Sequence, residues 1–296
     1  MTDETFRDET DLPASEDLGD IRLDELTGPL QAACDRAGWK SLVPVQARAI
    51  PYLLAGRDVM IQSRTGSGKT GAYLLPIMQK VDVRKKAAQA LVLVPTRELA
   101  LQVSLEAKLL AGDTEFKTAV VYGGVGYGAQ LEAFRQGAQL VVGTPGRILD
   151  HLLKDTLSLD NLRILIFDEA DRMLSMGFYP DMVKIRKYVP IGKIASSMFS
   201  ATYPPQVVRL ADQFLKSPRL LSLSGDQVHI AEIEHVFYVV PGMRKERSLV
   251  RIIEIENPAS AIIFCNTKDA VHYLCIVLKR FGYDADELSS DLAQTA

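Results

Sequence analysis

The chain has 296 residues, of which 47% are apolar, and a formal net charge of −3 at pH 7. This length allows one domain of about 200 residues plus part of another, with a sizeable core. No apolar run approaches the roughly 18 residues that a membrane span needs. The first residues also lack the basic and apolar regions of a signal peptide. We therefore expect a soluble, cytoplasmic, monomeric protein.

The acidic residues are concentrated at the start of the chain. Residues 1–20 carry a net charge of −7, which leaves +4 on the remainder. This segment has few large apolar groups to offset the entropy cost of folding, so we predict a disordered acidic tail. It is either a plain solvated extension or an arm that competes with nucleic acid. The mildly basic remainder permits nucleic-acid binding.

Cysteine and histidine spacing argues against a zinc site. The three cysteines lack metal-ligand spacing, and we expect buried, reduced thiols. They are Cys34, Cys265 and Cys275. The four histidines are scattered and include no pair spaced for ligation on one helix face.

Short apolar runs alternate with amphipathic segments from residue 59 onwards. The runs are 59–61, 90–94, 119–121, 140–142, 164–167 and 198–199. The amphipathic segments are 71–81, 98–110, 130–136, 148–153 and 182–188, after two helices predicted at 29–37 and near 45–55. Continuous apolar runs are typical of strands buried on both faces. The pattern predicts an α/β fold, a parallel sheet with helices on both faces.

A glycine-rich segment follows the first predicted strand and precedes a helix. It reads Ser63, Arg64, Thr65, Gly66, Ser67, Gly68, Lys69 and Thr70. Two glycines allow backbone N–H groups to converge on phosphate, Lys69 supplies a positive charge, and the Thr70 hydroxyl can bind Mg²⁺. The usual P-loop has glycine where this chain has Ser63, so the motif alone leaves a tight strand-to-helix turn as an alternative.

Every later strand ends in a polar or glycine-rich turn. These turns are Pro95-Thr96-Arg97, Gly123-Gly124, Thr144-Pro145-Gly146-Arg147, Asp168-Glu169-Ala170-Asp171 and Ser200-Ala201-Thr202. Each could be a helix cap. Because ligands of parallel sheets bind beyond the carboxyl ends of the strands, five such turns together indicate a binding edge.

The pair Asp168-Glu169 indicates the chemistry. Two adjacent acids after a buried strand would repel each other without a cation, so Asp168 is predicted to hold Mg²⁺ through water. Glu169 is predicted to position the attacking water in ATP hydrolysis. The amide of Gln46 matches the N6 and N7 edge of adenine, although a surface glutamine is the alternative.

Together, Gln46, the glycine-rich segment and the five turns resemble the DEAD-box family of ATP-dependent RNA helicases, over residues 21–225. The resemblance includes the literal Asp-Glu-Ala-Asp and Ser-Ala-Thr, and serine at the first P-loop glycine is common in that family. It implies two RecA-like domains that close on ATP and RNA, with local duplex unwinding.

The resemblance also implies residue roles. Residues 63–70 would bind ATP, with Gln46 selecting adenine and Lys69, Asp168 and Glu169 acting in catalysis. Ser200 and Thr202 would couple the nucleotide to RNA through Asp171. The RNA backbone would be contacted by Pro95, Thr96, Arg97, Gly123, Gly124, Thr144, Pro145, Gly146, Arg147 and Thr267. Little base specificity is expected from such contacts.

Two departures from the family concern the base of the nucleotide. The family's Pro-Thr before the glutamine is Leu42-Val43 here, so a hydroxyl is lost. The aromatic residue that stacks on adenine corresponds to Ile21, or to Leu23 with a short deletion. Weaker adenine selectivity is the expectation.

Residues 226–234 are predicted to be a linker, and residues 235–296 resemble the opening of a second RecA-like domain. We expect strands at 235–240 and 261–267 and helices at 245–255 and 270–280. The family's later arginines do not follow, and such residues accelerate hydrolysis by about 10³ to 10⁵. The expectation is a truncated chain that binds nucleotide, hydrolyses it poorly and does not unwind RNA.

Two other functions remain open at this point. Another P-loop ATPase is one, although Ser-Ala-Thr and Asp171 argue against it. A non-catalytic, nucleotide-dependent RNA clamp or interaction module is the other.

Overall fold

The computed structural model describes residues 17–223, 234, 236–240 and 245–289. The chain divides into two compact units, Met1–Val228 and His229–Ala296. The predicted domain boundary at residue 225 and all of the predicted linker except residue 234 lie outside the described residues.

The first unit is built on a seven-stranded parallel sheet, which confirms the predicted α/β fold. The strand order is β3-β4-β2-β5-β6-β1-β7. The strands are β1 (Val59–Gln62), β2 (Ala90–Leu93), β3 (Thr118–Val121), β4 (Leu140–Gly143), β5 (Ile164–Asp168), β6 (Ala195–Ser200) and β7 (Arg219–Ser222). All six strands predicted for this unit are present. Only β7 was not predicted, because this edge strand has a single buried residue, Leu221.

Helices cover both faces of the sheet. In the first unit they are α1 (Gly28–Arg36), α2 (Pro44–Leu54), α3 (Lys69–Lys80), α4 (Arg97–Ala111), α5 (Gly128–Arg135), α6 (Pro145–Leu153), α7 (Ala170–Ser175), α8 (Tyr179–Ile185) and α9 (Pro205–Phe214). Short 3₁₀ turns form at Leu23–Glu25 and Arg186–Tyr188. Of the helices, α7 and α9 were not predicted.

The core consists of two apolar clusters, one on each face of the sheet. Successive residues of β2 alternate between them, with Val92 in one and Leu91 in the other. Ile166 and Phe167 of β5 divide in the same way. Such alternation follows from the period of two in a strand, and it explains why the strands read as continuous apolar runs.

The start of the described chain corrects the predicted disordered tail. Residues 17–20 were assigned to it, but Asp17 accepts hydrogen bonds from Arg48 (2.8 Å) and Tyr52 (2.9 Å) of α2. Arg219 also lies 3.4 Å from Asp17. These partners hold the pKa of Asp17 well below its usual range, with the Arg48 hydrogen bond as the main cause. The rest of the predicted tail lies outside the described residues.

In the second unit the described residues form two helices, α10 (Lys245–Glu256) and α11 (Lys268–Arg280). The predicted strands at 235–240 and 261–267 are wrong as far as they are described, because residues 236–240 and 261–267 adopt no strand. Strands require hydrogen-bonded neighbours, and these apolar residues are exposed instead, with Phe264 92% exposed.

Two smaller expectations can also be compared with the structure. Cys34 and Cys275 are buried free thiols as predicted, whereas Cys265 is only half-buried. No helix within the described ranges is long and apolar enough to cross a membrane.

Candidate functional site

The glycine-rich segment forms a tight loop between β1 and α3. Gly66 and Gly68 have left-handed backbones, with φ of +77° and +87°, which other residues rarely adopt. The Lys69 side chain is only 6% exposed and donates a hydrogen bond to the Ser63 carbonyl at 3.2 Å. The Ser63 and Ser67 hydroxyls lie 2.6 Å apart. An ammonium group beside the N-terminus of a helix suits phosphate binding.

Gln46 lies directly against this loop. Its Oε1 accepts a hydrogen bond from the Val43 N–H (3.1 Å), and its Nε2 donates one to the Gly68 carbonyl (3.1 Å). Gln46 is 4% exposed, so it is not a surface glutamine. Its amide therefore links the start of α2 to the loop.

Trp39 also contacts this region, a role that sequence reasoning missed. A Cβ placed on Gly71 would come within 2.2 Å of Trp39 Cη2 and 2.7 Å of Gln46 Nε2. Glycine at position 71 is therefore required for the indole to reach α3. The signal in the sequence was an isolated tryptophan shortly before Gln46, facing a glycine one residue after the loop.

The residues that depart from the family lie beside α2. Ile21 donates its backbone N–H to the Ala47 carbonyl at 3.0 Å. Leu23 and Leu42 pack against the core and are half-buried, while Val43 is 40% exposed. None of these side chains offers an aromatic ring for stacking.

Asp168 ends β5 and is 2% exposed. Its Oδ2 accepts a hydrogen bond of 2.8 Å from the Tyr73 hydroxyl, and its Oδ1 is buried with no partner. Burial raises the pKa of the Asp168 carboxyl, while the Lys69 ammonium and the Tyr73 hydrogen bond lower it. A buried carboxylate oxygen without a donor is destabilising, so this atom suits a cation or its bound water.

Glu169 has a left-handed backbone, with φ of +55°. Non-glycine residues in this region are strained and cluster at functional sites. The carboxylate is paired with Arg172 of α7 at 3.1 Å. Because the Arg172 side chain is 57% exposed and that of Glu169 only 10%, the arginine approaches from solvent.

Asp171, Ser200 and Thr202 are joined by hydrogen bonds. Asp171 Oδ2 accepts bonds from the Thr202 N–H (3.0 Å) and Oγ1 (2.8 Å), and the Asp171 N–H donates to Ser200 Oγ (3.2 Å). Burial opposes ionisation of Asp171, but the bonds from Thr202 and Ser200 outweigh it and lower the pKa of the carboxyl. The ends of β5 and β6 are thereby tied together.

Several of these residues line a cleft of about 500 Å³. Its lining includes Thr65, Lys69, Glu169, Asp171 and Thr202. Residues separated by more than 130 positions in the chain are brought together because β1, β5 and β6 are adjacent in the sheet. The cleft has the ammonium, carboxylate and hydroxyl groups that a nucleotide site needs.

A metal ion could fit here only with donors from outside the protein. No group of three His, Cys, Asp or Glu side chains suitable for a metal occurs among the described residues. Thr70 and Asp168 offer two oxygens. Because Mg²⁺ prefers six oxygens and keeps several waters, this pair suits Mg²⁺ bound together with phosphate and water.

A second groove of about 540 Å³ lies along the same edge of the sheet. Its lining includes Pro95, Thr96, Arg97, Gly123, Thr144, Gly146 and Arg147, seven of the residues predicted to contact RNA. Arg97 is exposed over the Tyr122 ring at 4.9 Å. Arg147 lies 4.4 Å from the Tyr127 ring centre, and its Nη1 is buried without a partner. These guanidinium groups suit phosphate oxygens.

Other predicted RNA contacts have structural roles or lie elsewhere. Pro145 begins α6 and is buried, and Gly124 is exposed next to the groove with φ of +80°. Thr96 Oγ1 caps α4 by accepting from the Leu99 N–H at 3.2 Å. Thr267 lies in the second unit, where its Oγ1 caps α11 by accepting from the Ala270 N–H at 3.2 Å.

A buried network supports the loop that carries Gly123 and Gly124. His151 of α6 is fully buried and lies 2.9 Å from Gln130 Oε1 and 2.8 Å from Thr156 Oγ1. Gln130 Nε2 donates to the Tyr122 carbonyl at 3.3 Å. Burial lowers the pKa of His151. No local pattern in the sequence indicates this network, because its members lie in different segments.

A parallel sheet whose first strand leads into a glycine-rich loop, with Asp168-Glu169 at a central strand end, defines a RecA-like P-loop domain. Comparison with models of known protein families identifies the family within this class. The chain belongs to the DEAD/DEAH box helicase family, whose model matches residues 43–210.

Relatives and a solved structure agree with this assignment. The chain is 42% identical over 273 residues to "ATP-dependent RNA helicase DeaD" of Escherichia coli K12. The aligned region covers 91% of the chain and 43% of the relative. It is 36% identical to "DEAD-box ATP-dependent RNA helicase CshA" of Bacillus subtilis, and the aligned region covers 91% of the chain and 54% of that relative. The chain thus spans about half the length of these relatives. A DEAD box protein from Methanococcus jannaschii superposes with a TM-score of 0.66 at 33% identity, covering 93% of this chain and 75% of the other.

Proposed function

We propose that this chain is an ATP-dependent RNA helicase component that binds ATP in the 500 Å³ cleft and RNA backbone in the adjacent groove. The observation that carries the proposal is the meeting of Lys69, Glu169, Asp171 and Thr202 around one cleft. The family membership and the names of the relatives support the same activity.

In the nucleotide half of the proposal, residues 63–70 bind the phosphates. Lys69 exchanges the Ser63 carbonyl for phosphate oxygens, which are stronger acceptors for an ammonium group. Mg²⁺, when bound, neutralises charge on the β and γ phosphates. Thr70 and Asp168 hold that ion, and the free Asp168 Oδ1 supports this assignment. Gln46 selects adenine after its Nε2 leaves the Gly68 carbonyl.

In the same proposal, Glu169 accepts a hydrogen bond from the attacking water and orients it. The carboxylate is already at the cleft, but its bond to Arg172 occupies one oxygen. Arg172 therefore competes with water for Glu169. Asp171 then transmits the state of the cleft to Ser200 and Thr202.

For RNA, we propose contacts to phosphate and sugar without base readout. The groove presents backbone, small side chains and two arginines, and such contacts position a strand without reading its sequence. Thr267 belongs to a second RNA surface on the other unit.

For these 296 residues assayed alone, the proposal is nucleotide-dependent RNA binding with little hydrolysis. The second candidate function, a non-catalytic RNA clamp, makes the same binding prediction. The two differ in phosphate release, which a clamp does not produce at any RNA concentration.

Replacing Glu169 by Gln tests the enzymatic assignment. The amide keeps the side-chain volume but is a poorer acceptor for water, so ATP binding is retained and the slow phosphate release of the parent chain is lost. Glu132→Gln, on the exposed surface of α5, is the matched control and leaves turnover unchanged. RNA-stimulated turnover that is the same in E169Q and the parent chain would refute the role of Glu169.

A further inference from the structure

Tyr73 lies on α3, one helical turn after Lys69, and is fully buried. Its ring packs edge-on against Phe199, with centroids 5.3 Å apart. Its hydroxyl donates a hydrogen bond of 2.8 Å to Asp168 Oδ2. A phenylalanine would fill the same space against Phe199, so packing alone does not require the hydroxyl.

The hydroxyl divides the Asp168 carboxylate into two unlike oxygens. A phenol has one hydrogen to donate, and here Oδ2 receives it. Oδ1 remains buried without a partner. Since the hydrogen bond restrains rotation of the carboxylate, it also decides which oxygen faces an incoming ligand.

The same hydroxyl is close to the other proposed metal ligand. Tyr73 interacts with the Thr70 side chain as well as with Asp168. Glu106 of α4 also interacts with both Thr70 and Asp168. Of the two residues, Tyr73 is the one that donates a hydrogen bond to the Asp168 carboxylate.

We propose that Tyr73 is a positioning residue for the magnesium site: its hydroxyl holds Asp168 Oδ2 so that Oδ1 is presented to a Mg²⁺-bound water. The inference rests on the proposed function, because it requires ATP and Mg²⁺ in the cleft. Groups that orient metal ligands in this way contribute about 10- to 100-fold to metal affinity.

Tyr73→Phe in the 296-residue chain tests the inference. The readout is binding of a fluorescent ATP analogue, titrated with Mg²⁺ and repeated in EDTA. The Mg²⁺ concentration for half-maximal binding is expected to rise about 10-fold or more in Y73F, while affinity in EDTA changes less than about 2-fold. A Mg²⁺ dependence equal to that of the parent chain would overturn the proposal.

Tyr203→Phe is the matched control. Tyr203 is another inward-facing tyrosine, but its hydroxyl lies 2.6 Å from the Met198 carbonyl oxygen and 3.2 Å from that of Ile61, and its single hydrogen is directed at these backbone acceptors. Y203F therefore reports the cost of removing a phenol hydroxyl without touching Asp168. Equal shifts in Mg²⁺ dependence for Y73F and Y203F would assign Tyr73 a merely structural role.

Asp168→Asn separates this inference from the proposed function. If Tyr73 acts through Asp168, adding Y73F to D168N produces no further change in Mg²⁺ dependence, whereas independent effects would multiply and contradict the proposal. If the parent chain binds the analogue without any Mg²⁺ dependence, the proposed metal site itself fails. If the parent and D168N differ but Y73F matches the parent, only the role of Tyr73 fails.

Discussion

Thr202 donates two hydrogen bonds to one carboxylate oxygen of Asp171, from its N–H at 3.0 Å and its Oγ1 at 2.8 Å. Asp171 follows β5 and Thr202 follows β6, so the two bonds connect neighbouring strand ends at the edge where the cleft lies. In the proposed function, this carboxylate is the contact through which the nucleotide state of the cleft reaches the segment after β6.

Thr202→Val removes the Oγ1 bond and keeps the N–H bond. Because one exposed hydrogen bond is lost, the free energy of unfolding is expected to fall by about 1 kcal/mol. Nucleotide-dependent RNA affinity should fall by a larger factor than ATP affinity, as measured by fluorescence anisotropy of labelled RNA with and without nucleotide and by titration of a fluorescent ATP analogue. Ser158→Ala, which removes an exposed hydroxyl that donates to Asp160 Oδ2 at 2.8 Å away from the cleft, is the control. Equal RNA affinities in T202V and the parent chain would contradict the coupling.

Gly66→Ala and Gly68→Ala form a pair that separates backbone strain from crowding. Both glycines have left-handed φ, and an alanine there costs about 1–2 kcal/mol. A Cβ at Gly66 meets nothing within 4 Å, whereas one at Gly68 meets Val43 Cγ2 at 2.8 Å and Gln46 Nε2 at 3.3 Å. The free energy of unfolding, measured with urea, should therefore fall by about 1–3 kcal/mol more in G68A than in G66A. Equal decreases in the free energy of unfolding would show that the Val43 side chain moves away from the new Cβ without cost.

Arg147→Ala should weaken RNA binding to a similar degree for all sequences. Removing one phosphate contact reduces the slope of log affinity against log salt by about 1. Loss of the Tyr127 contact and of the Val125 carbonyl bond (2.7 Å) should also loosen the groove. Arg135→Ala, an exposed arginine of α5, is the control. A loss restricted to particular RNA sequences would point to base readout instead.

Stability should decrease at acidic pH through His151. Burial lowers the pKa of His151 below its ordinary value of 6.5, and Arg147 acts in the same direction. The unfolded chain therefore binds a proton that the folded chain excludes. The contribution of neutral His151 to the free energy of unfolding is therefore fully present above about pH 6.5. As the pH falls below that value, this contribution is lost by up to about 1.4 kcal/mol per pH unit.

His151→Gln isolates this contribution. Urea unfolding at about pH 7.5 and about pH 5.5 should show a smaller difference in H151Q than in the parent chain, because one titrating group is removed. If the difference in unfolding free energy between the two pH values is the same in H151Q as in the parent chain, groups other than His151 account for the acid sensitivity.

Much of the first unit was predictable from the sequence. Continuous apolar runs located six strands, since residues in a strand buried on both faces are apolar regardless of which strands are neighbours. The turns at the cleft and the groove were also predictable, because parallel strands place all their carboxyl ends at one edge. The second unit was less predictable: its apolar runs at 236–240 and 261–267 have the composition of strands but no pairing.

By itself, the sequence determined the class of fold, the glycine-rich loop, Asp168-Glu169 and the candidate residues of the RNA groove. The tertiary structure decided which side chains meet: Tyr73 with Asp168, 95 positions apart, His151 with Gln130, and Asp17 with Arg48. Local patterns specify local structure because period and turn chemistry act within a few residues. Contacts such as that between Tyr73 and Asp168 depend on how α3 packs over β5, which no segment of the sequence encodes alone.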